Sequence, residues 1–153
     1  MQELTLSYPA QIRLKENVWT VAFIDFDAFS EGDSLQEAIF NAQEALDVTL
    51  LGLVDTRQPI KAPSQCMGGD IHYISASPEV CVPILLYQRR KNEDKTIADV
   101  ARAMHVSLQR YHNIESGRNI TLKTLKNAAA AMGATVEIKF NFPSALAEVY
   151  SQC

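Results

Sequence analysis

The sequence predicts an α+β fold: a small antiparallel sheet covered by one long helix, then an all-α domain that ends in a strand. Three observations carry this. Apolar residues alternate with period two over residues 10–15 and 18–24, the pattern of half-buried strands. They recur at helical spacing over residues 35–53. Beyond Pro78 every periodic segment is helical until alternation returns at Thr135–Phe140. These breaks divide the 153 residues into a first domain at 1–75, a second at 78–140 and a tail at 141–153.

In the first strand Ala10, Ile12 and Leu14 share one face, with Gln11, Arg13 and Lys15 on the other. Trp19, Val21 and Phe23 repeat the pattern in the second. Only Glu16-Asn17 separates the two, which implies a tight hairpin with Asn17 at positive φ. Asp25 to Glu31 reads as a loop or short third strand containing Phe26 and Phe29. Ser34 and Glu37 stand at the spacing of a capping box. Leu35, Ala38, Ile39, Ala42, Leu46, Leu50 and Leu53 then form the apolar stripe of a helix that covers the hairpin. Pro59 and Pro63 stop that helix, and residues 62–70, small and polar with a Gly pair, read as linker-like. Ile71–Ile74 is a candidate further strand of the same sheet. Helices follow at Glu79–Arg90, Thr96–Met104, Ser107–Ser116 and Leu122–Met132, with Thr96 and Ser107 as N-caps and Gly133 as the last stop.

Composition narrows the function. No apolar stretch approaches the ~18 residues of a membrane span, and the Met1-Gln2-Glu3 start opens no secretory signal. The three cysteines, Cys66, Cys81 and Cys153, form no CxxC pair, so reduced thiols in a cytoplasmic protein are the simplest account. Net charge is −4, but it is unevenly placed. Residues 1–70 hold eleven acids and four bases, whereas residues 71–153 hold seven acids and ten bases. An acidic half joined to a basic half implies partners of opposite charge, with phosphate on the basic side. Two unevenly charged but merely solvated surfaces are the plainer alternative.

Thr96 to Asn119 has the length and core spacing of two short helices joined by a turn, and resembles the Xre or lambda-repressor-like helix-turn-helix. Val100, Ala101, Met104, Val106, Tyr111 and Ile114 match the family's core positions, and Glu115 and Gly117 the close of its recognition helix. The resemblance implies that Gln109, Arg110, His112 and Asn113 face the major groove and that Thr96, Ser107 and Arg118 lie near phosphates. Where the family often has Gly and Gln, this chain has His105 and Ile97.

Tyr8-Pro9-Ala10, a hairpin, Asp25 in a loop, Gly32-Asp33-Ser34 before an Ala-containing helix, and the Pro59…Pro63-Ser64 ending resemble the HicB family of antitoxins. The resemblance implies a partial RNase H-like fold for the first domain and, as partner, a HicA-type toxin ribonuclease with a double-stranded-RNA-binding-like fold and a catalytic histidine. It also implies that the second domain binds operator DNA, so that the antitoxin represses its own operon. Candidate toxin contacts are Trp19, Asp25, Phe26, Asp27 and Phe29; the family's Asp-Leu-Pro-Gly-Cys is here Asp25-Phe26-Asp27-Ala28-Phe29. An acidic domain suits the basic surface of an RNA-binding toxin.

Two other classes compete. One is a stand-alone transcriptional regulator whose first domain senses a ligand or protein. The other is a nuclease whose metals sit on Asp25, Asp27, Glu37 and Asp47, but Glu37 is used by the helix cap and Asp47 lies ten residues further along the same helix. His72, His105 and His112 lack ligand spacing, so neither a metal, a cofactor nor catalysis is expected. A homodimer or higher homo-oligomer is expected, because one helix-turn-helix reads one half-site. Val136, Ile138 and Phe140, on one face of the terminal strand, are the candidate dimerisation residues, with Leu146, Val149 and Tyr150 of the tail beside them.

Overall fold

The computed structural model describes residues 1–140. The tail at 141–153, with Leu146, Val149 and Tyr150, lies outside the described residues. The chain forms two compact units, one holding Thr5–Ser77 and the other Pro78–Lys139, with Met1–Leu4 grouped with the second.

In the first unit, strands β1 (Ser7–Lys15), β2 (Val18–Phe23), β3 (Phe29–Gly32) and β4 (Ile71–Ser75) make one antiparallel sheet in the order β3-β2-β1-β4. The β1–β2 turn has positive φ at both Glu16 (48°) and Asn17 (66°), the twist-matched two-residue hairpin. Opposite pairs Ala10↔Phe23, Ile12↔Val21 and Tyr8↔Ile74 put six buried side chains on one face. Helix α1 (Leu35–Asp55) covers that face with Ala38, Ala42, Leu46 and Leu50, a single i, i+4 line. The wider stripe expected from sequence is only partly buried: Leu35, Ile39 and Leu53 sit at its margins. Small residues let α1 come close. A Cβ on Gly32 would lie 2.4 Å from the Ala38 backbone nitrogen, so β3 can pass the helix start only as glycine.

Ser34 caps α1 by accepting the Glu37 N–H at 3.1 Å. The expected reciprocal bond is displaced by one residue, because the Glu37 carboxylate accepts from the Asp33 N–H at 2.8 Å. The linker-like stretch 62–70 lies in the first unit, where its polar groups are bonded. The Asp25 carboxylate accepts from the backbone N–H and the hydroxyl of Ser64. Tyr73 Oη donates to the Ser64 carbonyl at 2.9 Å, and Asp70 accepts from Gln11 and Arg13. Small polar residues look flexible in sequence, yet here their polar groups find fixed partners.

The second unit comprises α2 (Pro78–Asn92), α3 (Ile97–Ala103), α4 (Leu108–Glu115) and α5 (Leu122–Ala131). Thr96, Ser107 and Thr121 cap the last three, and Thr96 with Asp99 forms a full capping box. Leu86, Val100, Ala101, Tyr111, Ile114, Ala128 and Met132 form its core. Gly117, at φ +76°, ends the turn after α4 where a Cβ would meet Pro83 of α2 at 2.8 Å. The strand expected at Thr135–Phe140 is absent: residues 134–140 have no regular structure and are mostly exposed. A strand is defined by its ladder partner, and no described residue of this chain supplies one.

Candidate functional site

The helix-turn-helix is built by α3, a tight turn and α4. His105 takes φ 56° in that turn, the conformation for which glycine is usual. Tyr111 and Ile114 turn α4 inward, leaving Gln109, Arg110 and His112 exposed and Asn113 half-buried. Gln109 Nε2 donates to Asn113 Oδ1 at 3.1 Å, so two candidate base-reading amides are already linked along one line of the helix. The hydroxyls of Thr96 and Ser107 accept cap bonds from the Asp99 and Arg110 amides, which places both exposed side chains at helix N-termini. The Thr96 amide bond holds the Asp99 carboxyl below its usual range. Arg118 is exposed just past α4. Beside the start of α3, Lys91 and Lys95 line an open depression with Thr96 and Leu108. Lys95 directly precedes Thr96 in sequence, whereas the approach of Leu108 to this depression is tertiary.

One ion pair joins α2 to α4. Arg90 on α2 donates Nε and Nη2 to the two carboxylate oxygens of Glu115, both at 2.8 Å, and Nη1 to the Lys95 carbonyl at 2.9 Å. The Glu115 hydrogen bonds raise the Arg90 pKa further above its already high ordinary value. Burial likewise pushes the Tyr111 phenol up. Thus α4, the exposed helix, is tied at its C-terminal end to α2 by a bidentate, nearly dry contact.

In the sheet unit the five candidate contacts divide. Asp25 is engaged with Ser64, and Phe26 packs edge-on against buried Tyr8, centroids 4.7 Å apart. Both therefore shape the loop from within. Asp27 and Phe29 are exposed, and Trp19 is half-buried. Asp27, Ala28 and Phe29 form one wall of a shallow groove of about 460 Å³ whose other wall is Asn41, Glu44, Ala45, Val48 and Thr49 of α1. The remaining acids of the competing metal reading have separate partners: Asp47 accepts from the Ser77 N–H and Glu37 from Asp33. Among the described residues no three His, Cys, Asp or Glu side chains are grouped to hold a metal, and no helix is long and apolar enough to cross a membrane. From Glu16 to Thr56 the chain carries nine acids and no Lys, Arg or His.

Comparison with known proteins finds two family models in tandem, which meet within α2. The family model described as HicB_like antitoxin of bacterial toxin-antitoxin system matches residues 7–85, and a helix-turn-helix model matches residues 86–138. Antitoxin HicB 2 of Photorhabdus laumondii subsp. laumondii is 27% identical over 135 residues, which cover 87% of this chain and 95% of the relative.

Proposed function

Because the chain belongs to the HicB-like antitoxin family of bacterial toxin–antitoxin systems, we propose that it binds and inhibits a HicA-type RNA-cleaving toxin through its sheet unit and represses its own operon, in the cytoplasm, through its helix-turn-helix. The observation that carries this reading is the segregation of charge onto two different modules. A stretch of 41 residues without a single base belongs to one. A capped, exposed polar helix with bases around it belongs to the other. An RNA-binding toxin is complementary to the first and DNA phosphate to the second.

On the DNA side Arg110 and Gln109, with side chains suited to guanine and adenine edges, read bases. Thr96, Ser107 and Arg118 contact phosphate, and His112 and Asn113 complete the groove-facing set. The protein acts as a homodimer or higher oligomer in which Val136, Ile138 and Phe140, exposed in the single chain, pair with a second copy. On the toxin side Asp27 and Phe29 are direct contacts, with Trp19 at the flank and Asp25 and Phe26 holding the loop in shape.

The test is a titration of wild-type and variant protein on operator and scrambled DNA at several salt concentrations. Arg110→Ala loses about 1–3 kcal/mol on operator only. Arg118→Ala weakens both DNAs alike and flattens the salt slope. Equal loss on both DNAs for Arg110→Ala removes it as a base reader, and a wild-type protein with no operator preference removes autorepression. In parallel, a small basic open reading frame is expected beside this gene, with a product that cleaves RNA alone and ceases to do so with the full chain present.

A further inference from the structure

Helix α1 has a second face that the sheet does not use. Phe40, Glu44, Val48, Leu51 and Asp55 recur at i, i+4, i+8, i+11 and i+15, which returns to one side of a 3.6-residue helix. That side lies opposite the buried line Ala38, Ala42, Leu46 and Leu50. All five are exposed, and the apolar three strongly so: Phe40 by 60%, Val48 by 71% and Leu51 by 47%. The line runs roughly 22 Å at the helical rise per residue. Val48 and Glu44 also form a wall of the groove opposite Phe29, itself 72% exposed, so stripe and groove make one continuous surface. Exposed apolar side chains that adjoin one another along a helix, rimmed by acids, mark an interaction site more often than a face meeting only water.

We propose that this outward face of α1, continued into the Phe29 groove, is the docking surface for a basic partner protein. It rests on the toxin reading above and says where on the sheet unit the toxin sits: along the helix, with the Asp25–Phe29 loop contributing only its exposed edge. Charge decides against a second copy of the same helix as occupant. A pairing of two such faces buries Glu44 and Asp55 from both copies, and no Lys, Arg or His between Glu16 and Thr56 is there to neutralise them. A partner with Lys or Arg beside an apolar patch satisfies the acids and covers Phe40, Val48 and Leu51 together.

The experiment uses the full chain and the HicA-type toxin that the proposed function expects, rendered inactive at its catalytic histidine, with binding followed by stopped flow and calorimetry. The combined variant Phe40→Ala, Val48→Ala, Leu51→Ala weakens the complex at least about tenfold, mainly through faster dissociation. Glu44→Lys with Asp55→Lys slows association at low salt and reduces its salt dependence. Leu14→Ala, an equally exposed apolar residue at the hairpin end, stays within about twofold. All these positions are on the surface, and unchanged melting followed by Trp19 fluorescence shows that the variants are folded. If wild type binds and the triple-alanine variant binds equally well, the docking face is wrong while the toxin reading stands. If wild type forms no complex, both fall. If the triple variant instead changes the sedimentation of the chain alone, a second copy covers this face and the proposal is overturned.

Discussion

Removing Glu115 should cost the helical unit most of its stability. Its carboxylate meets the Arg90 guanidinium in two 2.8 Å bonds, with the side chains only 11% and 9% exposed. In Glu115→Ala the guanidinium keeps one protein acceptor, the Lys95 carbonyl, and remains charged and buried. Breaking a buried pair from one side costs about 3–5 kcal/mol. Pro78–Lys139 is a unit of about 60 residues, for which ~0.05–0.15 kcal/mol per residue gives a total of roughly 3–9 kcal/mol. At about 8 °C per kcal/mol for this size, the midpoint falls by roughly 25–40 °C. Trp19, the single tryptophan, lies in the sheet unit, so its fluorescence follows that unit while helical circular dichroism is weighted to the other. The expected result is a large loss in the circular-dichroism transition with little change in the fluorescence one. Arg90→Met combined with Glu115→Leu, which removes both charges, should stay within about 1 kcal/mol of wild type. If Glu115→Ala loses less than about 1 kcal/mol, the pair does not carry the load assigned to it.

Three further outcomes are expected. Gly117→Ala should lower the denaturation midpoint by more than about 1 kcal/mol equivalent, and by more than Gly133→Ala. Both have positive φ, but only Gly117 would also press a Cβ to 2.8 Å from Pro83; equal losses would show that space there is irrelevant. Asp70 is held below the usual carboxyl range by the Gln11 hydrogen bond and then by Arg13. A depressed folded value adds stability above the unfolded value of about 3.9 and loses it as pH falls through the lower one. Asp70→Asn should therefore be less stable than wild type near neutrality, with the gap closing below about pH 4; a pH-independent gap in urea titrations would contradict this. Ile138→Asp with Phe140→Asp should yield monomers by sedimentation, and a persisting dimer would move the interface elsewhere.

Local chemistry was legible in the sequence and long-range geometry was not. Glu16-Asn17, Ser34, Thr96 and Ser107 announce a turn and three helix starts because each acts on residues within a few positions of itself. The alternation at Thr135–Phe140 is equally clear, yet it leaves no strand in the single chain, since alternation states which face is apolar and not what will pair with it. Asp25 read as a candidate toxin contact because nothing local shows that Ser64, 39 residues on, will take both of its oxygens. The outward line of α1 escaped for a related reason. Phe40, Val48 and Leu51 already fall outside the stripe assigned to the core, but only the packed sheet shows that they stay strongly exposed and adjoin Phe29. The absence of any base from Glu16 to Thr56, by contrast, needed nothing more than counting.

The pairing of β1 with β4 also sets an order of events during synthesis. Ser7 lies opposite Ser75, so the sheet can close only after the chain that separates them has left the ribosome, and its last strand must search back over that whole length. Every element of the sheet unit nevertheless lies between Ser7 and Ser75. At roughly 5–20 residues per second it can be finished some seconds before the final helix of the second unit has emerged. A nascent chain therefore presents its acid-rich module while its DNA-reading module is still being made.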